Sequence, residues 1–281
     1  MKIKIVTDST CDLPVELLER YEITVLPLHI TKGDESLLAG IEITPLDIFR
    51  YVDGGGAICT TAAVNIAEYQ RCFAKLCPCY DAVIVMTISA EFSGCFQNAQ
   101  AAAADYPNVA VIDSRSLSCG QGMIVLEAAE MAEQGLPPDE IAAELRRRVS
   151  LPEASFLLDR LDYMQKGGRC SSATALGANL LHLKPCIEVR DGKMTVGKKY
   201  RGTFPKTVYQ YASERLSGRT DIRTDRVFIA HPDADPEAVK AAVQAIQEYG
   251  QFSEIWLVRG GCTVSCHCGP NTVGVMFMRK G

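Results

Sequence analysis

The 281 residues suffice for two domains of the usual ~100–150 residues, each with a buried core, and 47% apolar with 22% charged content excludes a disordered or fibrous chain. A formal net charge of −5 leaves no basic footprint for nucleic acid. No run approaches the ~18 apolar residues of a membrane span, and Met1-Lys2-Ile3-Lys4-Ile5-Val6-Thr7-Asp8 meets an acidic residue too early for a secretory signal, so a cytoplasmic protein is expected.

Ile3, Ile5 and Val6 begin a predicted strand that runs into Asp8-Ser9-Thr10-Cys11-Asp12-Leu13-Pro14. Asp12 is the expected N-cap of a helix to about Arg20, its carboxylate accepting from free first-turn amides, and Pro14 is tolerated where those amides lack partners anyway. Thr24 to Ile30 is β-rich, Lys32-Gly33-Asp34 is a turn, and Thr44-Pro45-Leu46-Asp47 has the cap, proline and acid of a helix start; Gly54-Gly55-Gly56 stops that helix. Thr61 falls just before a helix carrying Ile66, Tyr69, Phe73 and Leu76 at helical spacing. Ala82 to Met86 is a continuous apolar run, the mark of a strand covered on both faces, and it empties into Thr87 to Gly94 and a helix from Gln97 to Asp105. Val109 to Ile112 reads as another buried strand, followed by Asp113-Ser114 and a helix around Met123 to Gln134. This alternation predicts a parallel sheet flanked by helices, with ligands at the carboxyl ends of its strands, where Asp8-Ser9-Thr10, Thr61, Ser93 and Asp113-Ser114 converge.

The segment Asp139 to Arg148 closes this unit, its Arg146-Arg147-Arg148 reading as a solvated helix face. The second unit opens with a strand at Ser155 to Leu158 and a helical turn ending in Gly167-Gly168, then Leu176 to Leu181 and a strand Pro185 to Arg190. Asp191-Gly192 is a favoured hairpin turn, and the returning strand ends near Arg201. Arg226 to Ala230 and Glu254 to Val258 add buried strands around a helix from Pro236 to Tyr249. There is no internal repeat and no low-complexity segment.

Chemistry concentrates near the end, in Gly260 to Pro270, where small residues surround His267, one of four histidines. The stretch reads as a loop between strands, its histidine either presented to a partner or satisfied by a neighbouring carbonyl. Twelve cysteines mostly sit singly among apolar residues as small hydrophobes; Cys77-Pro78-Cys79 and Cys262-x3-Cys266-His267-Cys268 lack the C-x2-C pairs of structural zinc sites. Lys166-Gly167-Gly168-Arg169 reads as an anion site or as a C-cap glycine with flanking cations, and the Walker order is absent. Gly120-Gln121-Gly122 lacks the third glycine of a dinucleotide fingerprint. Ser93 with His267 suggests an esterase pair, but the G-x-S-x-G elbow is missing, and Ser93 reads equally as a helix cap. A third role gives Thr61, Ser93 and His267 to a single carboxylate as hydrogen-bond donors.

Thr7-Asp8-Ser9-Thr10-Cys11-Asp12-Leu13-Pro14, Thr61-Ala62-Ala63-Val64-Asn65, Ser93-Gly94, Asp113-Ser114, Gly167-Gly168-Arg169, Leu183-Lys184-Pro185, Asp191-Gly192 and His267-x-Gly269-Pro270 occur in this order. Together they make the chain resemble the DegV family over its whole length. The resemblance implies two α/β domains, residues 1–152 with a parallel sheet flanked by helices and 153–281 with a mixed sheet, enclosing a tunnel for a long-chain fatty acid such as palmitate. It implies no cofactor and no chemistry by the chain alone. The acid is offered to a separate ATP-using fatty acid kinase subunit for acyl phosphate formation, with transient contact at a membrane surface. Thr61 and Ser93, with Gly94, then look like the carboxylate site, His267 its third member, and Arg201 the arginine used when phosphate is transferred. The chain departs from the family pattern at Ala62-Ala63-Val64, Cys266, Cys268 and Asn271. A lipid hydrolase or acyltransferase using Ser93 and His267 is the competing reading, and a phosphate or nucleotide binder using Lys166 to Arg169 a third.

Overall fold

The computed structural model describes residues 1–174 and 183–281; the stretch Leu176 to Leu181 lies outside the described residues. The first half contains, in order, β1 (Ile3–Asp8), α1 (Val15–Arg20), β2 (Thr24–Leu26), β3 (His29–Lys32), β4 (Glu35–Leu38), α2 (Pro45–Asp53), β5 (Thr60–Ala62), α3 (Ile66–Leu76), β6 (Ala82–Thr87), α4 (Cys95–Ala103), β7 (Val109–Asp113), α5 (Ser118–Glu133) and α6 (Pro138–Arg148). The second contains β8 (Pro152–Leu158), α7 (Asp162–Gly167), α8 (Ser171–Thr174), β9 (Leu183–Arg190), β10 (Lys193–Arg201), α9 (Phe204–Leu216), β11 (Ile222–His231), α10 (Pro236–Tyr249), β12 (Glu254–Arg259), α11 (Cys262–Cys268) and β13 (Thr272–Arg279).

Four parallel strands in the order β2-β1-β6-β7 form the first sheet. All six residues of β6 are buried, as a continuous apolar run between two strands and two helical layers requires. By contrast β7 is an edge strand and only half-buried, so the expected burial of Val109 to Ile112 holds in full for Ile112 alone. The β-rich stretch Thr24 to Ile30 is two strands, not one. Pro27 has no amide to give, the Leu28 amide turns to Ser9 Oγ at 3.0 Å, and β3 leaves for a separate antiparallel sheet ordered β4-β3-β5. Thr61 therefore lies in β5 opposite Ile30, and Asn65 caps α3 through a capping box with Glu68. The box expected at α2 is present, with the Asp47 amide 3.4 Å from Thr44 Oγ1 and Asp47 Oδ2 accepting from the Thr44 amide at 3.0 Å.

Asp12 is not the N-cap of α1. Its φ of 48° is left-handed, and Pro14 precedes α1 instead. The Asp12 carboxylate accepts from Ser118 Oγ at 2.6 Å and from the Gly261 amide at 3.0 Å, tying the first strand's loop to α5 and to the start of α11. α4 begins at Cys95, earlier than expected, because its N-cap is Gly94 and not Ser93. α5 begins at Ser118, which places Gly120 and Gly122 inside a buried helix. A Cβ at Gly122 would stand 2.7 Å from the Cys11 carbonyl, so this glycine serves close helix packing, not a nucleotide. The basic triplet is only partly a solvated face, since Arg148 reaches Glu127 of α5 and Glu144 and clips α6 onto its neighbour.

The second sheet is mixed, ordered β10-β9-β8-β13-β11-β12, with β11 and β12 parallel and the other pairs antiparallel. Both turn residues of the β9–β10 hairpin have positive φ, Asp191 at 50° and Gly192 at 79°, the geometry that matches strand twist. Of Glu254 to Val258 only Val258 is buried: β12 is the edge, and Leu257 is 54% exposed. α9 and α10 cover one face, where Tyr211, Ala242 and Ile246 pack against Val275 and Phe277. The other face meets the first half directly, for Ile84, Met123 and Leu126 share a core with Ala154, Phe228 and Met276. The seam between the halves is itself hydrophobic core.

The Gly260 to Pro270 stretch is the largest correction. It contains a seven-residue helix, not a loop, with six of its residues buried and His267 in its last turn. Gly261 precedes it in extended geometry, and Gly269 at φ 74° ends it. Cysteine, threonine and serine have little intrinsic helix preference, so tertiary packing decides; Cys262 and Cys266 join Ile30, Phe49 and Tyr163 in one cluster. Among the described residues no disulfide forms and no group of three or more His, Cys, Asp or Glu side chains is placed to hold a metal ion. No described helix is long and apolar enough to cross a membrane.

Candidate functional site

β5 and α11, from opposite halves, bring two predicted site residues into contact, Thr61 Oγ1 lying 2.9 Å from His267 Nε2. His267 is 8% exposed, and its Nδ1 has no hydrogen-bond partner among the described residues. That nitrogen faces Gly167, where a Cβ would come within 2.3 Å of it. Burial, assisted by the charge of Arg169, pulls the imidazole down to about 4, so the ring is neutral at neutral pH. Its contribution to stability is therefore complete above the ordinary value of 6.5 and is lost as pH falls toward about 4.

A cavity of about 120 Å³ opens at this contact. Its lining mixes the polar Thr10, Thr61, Ser93, Thr263, His267 and Arg169, with Gly94, and the apolar Leu28, Ile88, Phe92, Leu117, Met194 and Val264. Leu117 and Val264 also line a neighbouring pocket of about 10 Å³ against Phe156, Gly274 and Met276, so these two side chains stand between the site and the second sheet. The first-half wall is held by Asp8 at the end of β1, whose buried carboxylate accepts from the amides of Ile88 at 2.7 Å and Thr10 at 3.1 Å and from Gln121 Nε2 at 3.0 Å. Burial raises the Asp8 carboxyl despite these bonds.

Thr61, Ser93, Gly94 and His267 thus line one cavity, whereas Arg201 does not; it is exposed at the end of β10, opposite Leu183. The cation at the cavity is Arg169, whose Nη1 donates to the Gly167 carbonyl at 2.8 Å. The Gly167-Gly168-Arg169 run carried that signal as an anion-site reading. Thr263 had no signal, because only the helical form of α11 puts it one turn before His267. Ser93 Oγ donates to Cys95 Sγ at 3.3 Å and accepts weakly from the Cys95 amide at 3.4 Å, and no hydrogen bond joins Ser93 to His267. The nucleophile–base contact of an esterase is not formed.

Burial pushes the Asp12 carboxyl up to about 7, against the lowering pull of Ser118 and Gly261 and with a small push from Asp8. Between the ordinary value near 3.8 and about 7 the unfolded chain sheds a proton that the native chain keeps, so this group's contribution to stability falls as pH rises. Asp12→Asn is accordingly expected to gain on the parent by roughly 3 to 4 kcal/mol at most between pH 4 and pH 7.5. Urea midpoints of both proteins at the two pH values measure this; a difference that does not change with pH refutes the assignment.

Both halves line a largely apolar cavity that also carries hydroxyl, imidazole and guanidinium groups, which defines the class: a two-unit α/β protein with an amphipathic pocket at its seam. The family model described as "Uncharacterised protein, DegV family" matches residues 2–280, and the chain belongs to the DegV family. It is 31% identical over 283 residues to a DegV domain-containing protein of Caldanaerobacter subterraneus, covering 99% of both chains. It is 30% identical over 286 residues to Protein DegV of Bacillus subtilis, covering 100% of both. Among solved structures, a DegV family protein from Thermus thermophilus described as fatty acid binding superposes with a TM-score of 0.90 at 31% identity, over 99% of this chain and 100% of that one. DegV of Bacillus subtilis, described as a fatty acid binding protein, superposes with a TM-score of 0.82 at 28% identity over 100% of both chains.

Proposed function

We propose that this protein binds a long-chain fatty acid and presents its carboxylate to a separate kinase subunit, without catalysing a reaction alone. The observation that carries the reading is the Thr61–His267 contact in the lining of a largely apolar cavity. With Nε2 protonated, the neutral imidazole donates to Thr61 Oγ1 and leaves the threonine hydroxyl hydrogen free to point at a carboxylate. Ser93 supplies a second hydroxyl, and Arg169 a positive charge in a low-dielectric site, without which burying an acid head group would be costly. Affinity comes from the tail: a dozen methylenes at ~0.8 kcal/mol each supply roughly 10 kcal/mol of gross driving force, less the cost of ordering the chain. The cavity is smaller than the roughly 300–1,000 Å³ of typical ligand pockets, so in this reading binding a long acyl tail requires the lining side chains to rearrange.

In this reading the kinase transfers the γ-phosphoryl group of ATP to a carboxylate oxygen, forming the acyl phosphate and releasing ADP, as a step toward phospholipid synthesis. Arg201, outside the cavity and exposed, suits the partner's phosphate better than the bound head group. A cytoplasmic location, brief contact with a membrane surface and a domain division at 152/153 complete the proposal. The missing Ser93–His267 bond supports it over a hydrolase.

Mass spectrometry of lipid extracted from the freshly purified protein is expected to show a long-chain fatty acid, at lower occupancy in Ser93→Ala. Absence of acyl lipid, or covalent labelling of Ser93 by a serine-hydrolase probe, would overturn the reading. With the kinase subunit added, His267→Ala is expected to impair acyl phosphate formation; unchanged turnover removes it from the presentation step.

A further inference from the structure

The largest charge imbalance among the cavities lies away from the acyl pocket. A cavity of about 460 Å³ sits where Arg115, in the loop after β7, meets the start of β8, the β9–β10 hairpin and the end of α9, and it shares no lining residue with the acyl cavity. Five arginines line it, Arg115, Arg190, Arg215, Arg219 and Arg279, against the three carboxylates Glu153, Glu188 and Asp191, a formal surplus of two positive charges. This surplus stands out in a chain whose net charge is −5.

Two of the three carboxylates, Glu153 and Glu188, are already engaged by arginines. Glu153 faces three guanidinium groups, with Arg215 Nη2 at 2.5 Å, Arg219 Nη2 at 2.8 Å and Arg279 Nε at 3.6 Å. Burial alone would raise its carboxyl; the Arg219 hydrogen bond and the charges of Arg215 and Arg279 outweigh that and hold it low. Glu188 is shared between Arg190 and Arg215. Arg115 makes no ion pair among the described residues, and its Nη2 donates at 2.6 Å to the main-chain carbonyl of Asp191. A network serving only to hold the halves together would be expected to balance its charges, because unmatched guanidinium groups repel one another. Here Glu153 faces three cations, of which Arg219 is also paired with Asp221 beyond the cavity lining, while Arg115, with no ion pair among the described residues, and Arg190 remain exposed at the rim.

We propose that this seam cavity binds a small anion carrying a chain of phosphate groups. Guanidinium forks match phosphate oxygens bidentately, and several of them spread over a cavity of ligand size favour a linked series of phosphates over one carboxylate. Arg115 belongs to the first half and the other four arginines to the second, so an occupant would bridge the two. The proposal is independent of the acyl reading.

The test is calorimetric titration of the purified full-length protein with inorganic tripolyphosphate at low ionic strength, with metal-free ATP as a second arm. One saturable site per chain is expected, weakening steeply with added salt. Arg115→Gln combined with Arg190→Gln removes two exposed rim cations, and Glu188 keeps Arg215 as a partner; the double variant is expected to lower affinity roughly tenfold or more, with the unliganded melting temperature little changed. Tighter binding of ATP would assign a nucleotide, equal or weaker binding the phosphate chain alone, and either supports the site. No saturable binding in either arm, or equal affinity in parent and double variant, overturns it. Should the double variant melt early, the pair Arg115→Lys and Arg190→Lys keeps charge but loses the forks, and undiminished affinity there overturns bidentate recognition.

Discussion

Thr61→Val is expected to bind fatty acid at least roughly tenfold more weakly than the parent, because a hydrogen bond to a buried charged group is worth about 1.5–3 kcal/mol. Valine keeps the shape and β-branching of threonine, so β5 and its pairing to β3 should persist and the loss should report the hydroxyl alone. The substitution also leaves His267 Nε2 without its partner, in a ring whose Nδ1 already has none among the described residues. Thr61 and His267 therefore act as a pair, and the double variant Thr61→Val with His267→Ala should lose less than the two single losses added. Displacement titration with a fluorescent fatty acid reads all four affinities. An unchanged affinity in Thr61→Val sinks the proposed head-group site.

A comparable loss is expected from Gly167→Ala, which touches no ligand. The added methyl would lie 2.3 Å from His267 Nδ1 and 3.3 Å from two further ring atoms, closer than real Cβ contacts permit. Gly167 is the last residue of α7 and is buried, so the backbone has little room to retreat and the imidazole must move off Thr61. Once His267→Ala has vacated the space, Gly167→Ala should have almost no further effect. That dependence separates a positional role from general damage to α7: an equal loss in both backgrounds would refute it. The contact also explains the glycine in chemical terms, as a flat wall that sets where the ring can stand.

How much of this was legible depended on how local its cause is. The buried strand Ala82 to Met86, the Thr44–Asp47 capping box and the Asp191-Gly192 turn are written in neighbouring residues, and all three occur in the structure. The α11 helix is not, because its residues are weak helix formers and its position depends on Asp12, which reaches the Gly261 amide across 249 positions. Thr61 looked like a residue preceding a helix because β5 is three residues long and its partner strand lies far upstream. Arg201 was assigned to the site by resemblance, and the described cavity has Arg169 as its cation instead. Gly167 read as a cap or an anion loop, since nothing near it in the chain announces the ring that rests on it.

The bond between residues 12 and 261 and the pairing of β8 with β13 also bear on how the protein is made. A chain emerging from the ribosome can complete its parallel sheet early, since β1, β2, β6 and β7 all lie within the first 113 residues. The hydroxyl half of the pocket must then wait for the histidine half, the strand after it and the contacts that span the chain. Until α11 and β13 are released, the seam that later becomes shared core is an open apolar face, and the pocket does not exist. A truncated or prematurely released product would display that face uncovered, which makes it a natural target for chaperones and proteases.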